Sequence, residues 1–378
     1  MFPTDSPSTD PSDWTYVAEG GESLVIAYTG PPRPGFDRTV LRLKKAKRQD
    51  ILLPELVGPA NLDRPHDDTF TVRYQHDVIE RLLPITVLPR YSTVRLTPEW
   101  LASIDNAVTL KRPQNRVELD AISLKQSSGV LVTNLVAGTG VVVEVKPKWG
   151  FLPSPTHLSD ETRDKKRSHC RLCMHTQYKR NRGETVAEAF CPLDLYSGDP
   201  ARIRDALVRL WTTWVNSTDN AIHNLRIFFD GETADARDAC SVDGITQWLT
   251  SHSSATTAED AFIELVTERL ANSKVLNVLS HLQRTLDPLD IEGLSKLASQ
   301  TNQPLSSREE VTLDEWLAFT REHQDSARDY DHSNPDGANL KYYKLAYQLS
   351  ASFKDCSIMI NLDDALGRQP RRHHRPRS

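Results

Sequence analysis

Lys146 and Lys148 flank a single proline at the end of the run Val141-Val142-Val143-Glu144-Val145, which is β-branched except for Glu144. The run reads as a strand, and residues i and i+2 of an extended chain project to one face. Pro147 fixes its own φ and keeps Lys146 extended. Two ammonium groups set side by side repel each other unless an anion lies between them, so the pair describes an anion site. The plain alternative is a solvated strand end, the ordinary meaning of a short K-P-K. A second arrangement is Gly20-Gly21, which interrupts the alternating stretch from Trp14 to Tyr28. Glycines lack the Cβ that would keep backbone N–H groups away from an anion. The next strand, Thr39-Val40-Leu41-Arg42-Leu43-Lys44, carries Arg42. Together they have the layout of a nucleotide-covering loop and a phosphate-binding cation; a bare hairpin turn is the simpler reading. A third is Cys170-x-x-Cys173, flanked by His169 and His175. That is half of a zinc pattern, and with no distant second pair the sequence argues against a metal there.

Charge is unevenly spread. The 378 residues carry a formal net charge of −5, which argues against a nucleic-acid partner. Yet Lys146 to Arg182 holds ten Lys/Arg and three Asp/Glu, and Arg33 to Arg48 holds seven basic residues and one acid, Asp37. Two basic segments in an acidic chain suit the focusing of a field on one small polyanion; two solvated faces would look the same. No stretch approaches a membrane span, and residues 1–13 lack the basic and apolar regions of a secretory signal. Five unevenly spaced cysteines suit reduced thiols in nucleus or cytoplasm better than a disulfide framework.

The elements that would carry these residues can be read along the chain. Trp14 to Tyr28 is a hairpin, and strands follow at 39–44, 130–134 and 141–145. A helix is expected over His76 to Leu83, an extended region over 85–96, and a helix opening at Pro98 with Thr97 as cap. Asp199 should cap an amphipathic helix whose Trp211 and Trp214 are core. Asn224 to Phe229 is a short strand. Thr256 and Glu259 form a capping-box pattern before a long helix or helix pair through Leu282. Strands early and helices late give an α+β chain.

Several of these stretches resemble one family. Glu144-Val145-Lys146-Pro147-Lys148-Trp149-Gly150-Phe151-Leu152-Pro153 resembles the E-x-K-P-K-W/C-G-F-L-P element of inositol-pentakisphosphate 2-kinases, and Lys354-Asp355-Cys356-Ser357-Ile358-Met359-Ile360 is similar to their K-D-C-S-I-M-I. Cys191-Pro192-Leu193-Asp194-Leu195-Tyr196-Ser197-Gly198 resembles x-P-L-D-L-F/Y-S-G, a structural turn. Tyr16 to Tyr28, Arg112 to Val117, Ser168 to Lys179 and His223 to Phe228 resemble further family elements. The resemblance, to a fungal-type member, implies a two-lobed kinase-like fold with a smaller β-rich N-lobe (14–134) and a larger helix-rich C-lobe (135–367). Disordered ends are expected at 1–13 and 368–378. It implies ATP with Mg²⁺, and phosphorylation of inositol 1,3,4,5,6-pentakisphosphate at the 2-hydroxyl to give phytate. Asp355 is the implied catalytic base and metal ligand. Gly20, Gly21, Arg42, Asn134 and Lys148 are implied at the nucleotide, and Lys47, Arg116, Lys146, Lys179 and Asn224 at the substrate.

The sequence departs from the family after Ile360. The family continues into a second strand with another metal-binding aspartate; this chain gives Asn361-Leu362-Asp363-Asp364 and an arginine-rich tail. The expected end is therefore altered or missing, and a non-catalytic inositol-polyphosphate binder stands as the alternative. A monomer without membrane or nucleic-acid partners is expected.

Overall fold

The structure, a computed structural model, describes residues 9–48, 68–184, 186, 190–217, 224–305, 310–326 and 329–363. The arginine tail and Asp364 lie outside the described residues. The fold is mixed α+β and divides into two compact units, residues 1–135 with 311–320 and residues 136–310 with 321–378. No described helix is long and apolar enough to cross a membrane.

The first unit is built on one sheet. Strands β1 (Trp14–Glu19), β2 (Ser23–Tyr28), β3 (Thr39–Lys47), β4 (Tyr91–Arg95), β5 (Asp120–Ile122) and β6 (Ser128–Thr133) run in the order β1-β2-β3-β6-β4, with β5 on the end of β3. All these pairings are antiparallel. Alternation decides the faces: Leu24, Ile26, Leu41 and Leu43 are fully buried, and Arg42 between the last two is exposed. Helix α1 (Asp68–Tyr74) begins well before His76 and continues through a π turn at Gln75–Ile79. Its Asp68 carboxylate accepts from Ser128 Oγ at 2.7 Å, which anchors the helix start to the sheet. Helix α2 (Pro98–Thr109) starts as expected, with Thr97 Oγ1 accepting from Trp100 N at 3.3 Å, and buries Trp100, Leu101, Ile104 and Val108. Residues 9–13, expected to lack structure, include a 3₁₀ turn at Pro11–Asp13, and Thr9 is held by the indoles of Trp14 and Trp100.

Four buried charges tie this sheet together. Lys45 Nζ lies 2.7 Å from Glu19 Oε2 and 2.9 Å from Asp120 Oδ2. Arg112 Nη2 lies 2.8 Å from Glu19 Oε2 and 2.5 Å from Asp120 Oδ1. Their side chains are no more than 10% exposed. Two cations and two carboxylates balance, so β1, β3, β5 and the turn before helix α3 (Gln114–Leu119) are locked at one point. Part of the basic run 33–48 is therefore internal: Lys45 is consumed here, and Lys44 pairs with Asp68 at 3.4 Å.

The second unit has a four-stranded antiparallel sheet, β10-β7-β8-β9, from β7 (Val141–Val145), β8 (Leu225–Phe229), β9 (Glu232–Thr233) and β10 (Ile358–Asn361). The helices are α4 (Asp160–Ser168), α5 (Arg171–Asn181), α6 (Pro192–Leu195), α7 (Pro200–Val215), α8 (Ala239–Ser251), α9 (Ala258–Ser273), α10 (Val275–Thr285), α11 (Asp290–Gln300), α12 (Leu313–Ser326) and α13 (Leu340–Lys354). Residues 311–320, including the start of α12, belong to the first unit, where Trp316 meets Tyr74 edge-on at 5.6 Å. In the second unit Val141, Val143, Val145, Leu225, Ile227 and Ile360 pack on α7 and α9 in one core, Trp211 and Trp214 included. Asp199 caps α7 as expected. The cap of α9 is Thr257 rather than Thr256, because Asp260, not Glu259, stands three residues on to bond its hydroxyl. A left-handed Lys274, φ +55°, splits the expected long helix into α9 and α10.

The buried quartet yields two measurable outcomes. Arg112→Met should destabilise the first unit by about 3–5 kcal/mol, since it leaves two buried carboxylates sharing Lys45 alone. Burial pushes the Glu19 carboxyl up, but hydrogen bonds from Arg112 and Lys45 outweigh it and hold it at about 2, against 4.5 ordinarily. The stability it contributes is present above pH 4.5 and is lost as pH falls from there toward 2. Glu19→Gln should flatten that acid-side loss, read from hydrogen exchange of the β1–β3 amides.

Candidate active site

Four of the expected residues meet at one end of the second unit's sheet. Past the Val145–Leu225 pair, Lys146 N donates to Asn224 O at 2.9 Å, so the β7–β8 ladder runs one step further. On the other side of β7, Ile358 of β10 stands opposite Val145. Asp355 lies just ahead of β10, as the closing residue of α13, and its N–H bonds Ala351 O. Helix end and strand start leave it little freedom, yet its side chain is 79% exposed.

Lys148 does not follow the alternation expected of it. The strand ends at Val145, and Lys148 adopts φ +59°, in the left-handed region. The chain turns there, so the same-face argument for Lys146 and Lys148 fails beyond Pro147. The turn instead brings Lys148 Nζ to 2.8 Å from Asp355 Oδ1. That bond, with the charges of Lys148 and Lys146 and against a small burial effect, holds the Asp355 carboxyl below its ordinary range. The result is a carboxylate bonded to Lys148, with the charge of Lys146 also acting on it.

The loop after Lys148 is fastened from below. The rings of Trp149 and Phe151 stack at 6.1 Å. Lys354, the neighbour of Asp355, sets its ammonium 4.2 Å from the Trp149 ring centre and 2.5 Å from Asp287 Oδ2. Both of those charged side chains are buried, so each is the other's necessary counter-ion. Gly150 fits because a Cβ there would come within 2.5 Å of the Tyr196 ring. This gives the Pro192 to Gly198 stretch a structural task, as expected. Glu144 accepts from Ser357 Oγ at 2.6 Å and lies 3.8 Å from Arg226. Of the two acids after β10, Asp363 is described and its N–H bonds Asn361 Oδ1 at 2.8 Å.

Lys179 is carried separately, half-buried in the last turn of α5. At the start of that helix a third sulfur joins the cysteine pair. Cys170 caps α5 and accepts from Cys173 N at 3.2 Å. Cys191, just before α6, brings a third sulfur, and the three lie within 4.8 Å of one another. The sequence lacked a second Cys pair; the fold supplies one more thiol from a distant turn. Three sulfurs could hold a soft cation such as zinc with one position open. Among the described residues no other cluster of this kind is present.

The remaining expected residues belong to the first unit. Gly20 and Gly21 form the β1–β2 turn, where Gly20 N donates to Ser23 O at 2.8 Å. Neither has a positive φ, and a Cβ at either would meet nothing within 4 Å. The hairpin itself does not require glycine at either position. Arg42 stands opposite Val25 and Val130, exposed, with Nε donating to Ser23 Oγ at 3.0 Å. Asn134 follows β6, its N–H on Arg38 O at 2.7 Å. Lys47 is exposed opposite Asp120, and Arg116 is half-buried on α3. The sequence reading gave no separate role to Lys354 or Glu144; only a partner far along the chain reveals each.

Known proteins resemble this chain over most of its length. A family model described as inositol-pentakisphosphate 2-kinase matches residues 16–377. A Cryptococcus neoformans var. neoformans protein named inositol-pentakisphosphate 2-kinase is 30% identical over 382 residues, covering 95% of this chain and 84% of that one. Proteins of the same name from Arabidopsis thaliana and Danio rerio are 29% and 24% identical, each covering 93% of this chain, and 81% and 83% of their own length.

Lys148→Met should move the Asp355 titration midpoint upward, toward the ordinary carboxylate range, because the bonded ammonium is the largest cause of its lowering. Carbon-detected NMR of the Asp355 carboxyl reads this directly. An unmoved midpoint would show that the pair does not form in solution.

Proposed function

Because the chain belongs to the inositol-pentakisphosphate 2-kinase family, a transferase family, we propose that it moves the γ-phosphoryl group of ATP to the 2-hydroxyl of inositol 1,3,4,5,6-pentakisphosphate, giving phytate. The observation that carries this is the Lys148–Asp355 contact of 2.8 Å beside Lys146 and Asn224. A phosphoryl group delivered there meets cations and a proton acceptor at once.

The roles follow from the family resemblance, and the charge of each residue suits its role. Asp355 orients the 2-hydroxyl and takes its proton as the new O–P bond forms and the bond to the ADP oxygen breaks. Lys148 balances charge on the nucleotide phosphates; by the family resemblance Arg42, the open Gly20-Gly21 turn and Asn134, all in the first unit, serve the nucleotide. By the same resemblance Lys146, Lys179 and Asn224 of the second unit, and Lys47 and Arg116 of the first, serve the substrate phosphates; the planar guanidinium of Arg116 suits two oxygens at once. An exposed carboxylate fits Mg²⁺, which takes one or two carboxylates plus phosphate oxygens, so Asp355 would hold the ion and the ion would neutralise charge on the transferring group.

The catalytic reading is preferred to a non-catalytic binder because relatives named as kinases come from a fungus, a plant and a fish. Five free thiols favour a reducing compartment, nucleus or cytoplasm. The absence of a nucleic-acid partner accords with the net charge of −5.

Asp355→Asn should lower turnover by about 10²–10⁴-fold while leaving inositol-phosphate affinity nearly unchanged. ADP release measures the first and calorimetry the second. Turnover close to that of the parent would remove Asp355 from the reaction.

A further inference from the structure

Beneath the site lies an amide with no exposure at all. Gln283 sits on α10 in the buried row with Leu276, Leu279 and Leu282, where an apolar side chain would be the ordinary choice. A buried amide is tolerated only where its donors and acceptor are used. Here they are: Gln283 Oε1 accepts from Gly150 N at 2.8 Å, and Nε2 donates to Lys148 O and to Phe353 O, each at 2.9 Å. The Tyr196 hydroxyl lies 3.4 Å from Nε2. The main-chain carbonyl of Gln283 also accepts from Ser350 Oγ at 2.9 Å, fixing α10 to α13.

These partners are the backbones of both halves of the site. Lys148 O and Gly150 N bracket the turn in which Lys148 takes its left-handed φ of +59°, a conformation a lysine keeps only when its surroundings impose it. Phe353 lies two residues before Asp355, in the last turn of α13. One side chain thus grips the arm that carries the ammonium and the arm that carries the carboxylate. We propose that Gln283 is a positioning residue for phosphoryl transfer, holding the Lys148 turn and the Asp355 segment in the register that joins their side chains. The proposal rests on the kinase reading and adds to it a residue that touches neither substrate.

The test compares the parent with Gln283→Met, which fills similar space but bonds none of the three backbone groups. Per folded molecule kcat should fall about 100-fold, the scale of a 1 Å misplacement, while both KM values change much less. In the Lys148→Ala background, the same substitution should cost under about threefold, because the two act through one contact. A kcat within about twofold of the parent, or an equal loss in both backgrounds, would falsify the positioning role. The parent alone gives a second measurement, decisive even where Gln283→Met does not fold. The Gly150 amide should exchange only with global unfolding, and rapid exchange would show the clamp open and overturn the proposal. A parent that binds ATP and inositol pentakisphosphate without forming ADP would instead defeat the kinase reading, and with it the positioning role. A protected Gly150 would then leave the clamp as architecture alone.

Discussion

An ammonium held against a carboxylate that is 79% exposed contributes little to folding, because water screens the pair and competes for both ends. The Lys148–Asp355 contact is therefore a consequence of the fold rather than one of its supports, and something else must hold its two ends. That support is buried. Gln283 bonds the backbone on both arms, and the Lys354–Asp287 pair, roofed by Trp149, pins the residue next to Asp355. Buried polar groups of this kind cost much when half-satisfied and specify one geometry when complete. The second unit therefore keeps its costly polar contacts one layer below the surface it presents.

The first unit repeats the logic with charges in place of an amide. Glu19 ends β1 immediately before Gly20, and its carboxylate is clamped by Lys45 and Arg112. The hairpin turn beyond it has open space where side chains would be, so its position is fixed from behind and its front stays bare. Arg42 takes its orientation from Ser23 on the neighbouring strand. The bare turn carries no scaffolding of its own; the quartet carries it instead.

What was legible in the sequence follows from range. The β2 and β3 strands, the Thr97 and Asp199 caps and the core tryptophans depend on neighbours a few residues away, and periodicity revealed them. Gln283 and Gly150 are 133 residues apart, and Lys148 and Asp355 are separated by 207, distances at which composition is silent. Counting charge failed for the same reason: Lys45 looked like part of a basic field and is instead neutralised inside the sheet. Alternation failed at Lys148 because a left-handed residue breaks the period, and nothing local forecasts a lysine there. The motifs around Asp355 and Lys146 were readable only through their resemblance to a family. Their spacing alone fitted a surface strand equally well.

The lowered pKa of Asp355 constrains how the proposed reaction must run. A carboxylate stabilised by Lys148 is a poorer base than a free one, and an alkanol holds its proton far too tightly for such a group to remove it first. Proton transfer must therefore come late, when bonding to phosphorus has already acidified the hydroxyl. In a loose transition state this costs little, because nucleophile strength matters less than alignment and the balancing of charge on the phosphoryl oxygens. A weak, ionised acceptor bonded to Lys148 suits that demand better than a strong base would. It stays charged at neutral pH, so it can hold the hydroxyl in line, and it keeps the cations where negative charge gathers.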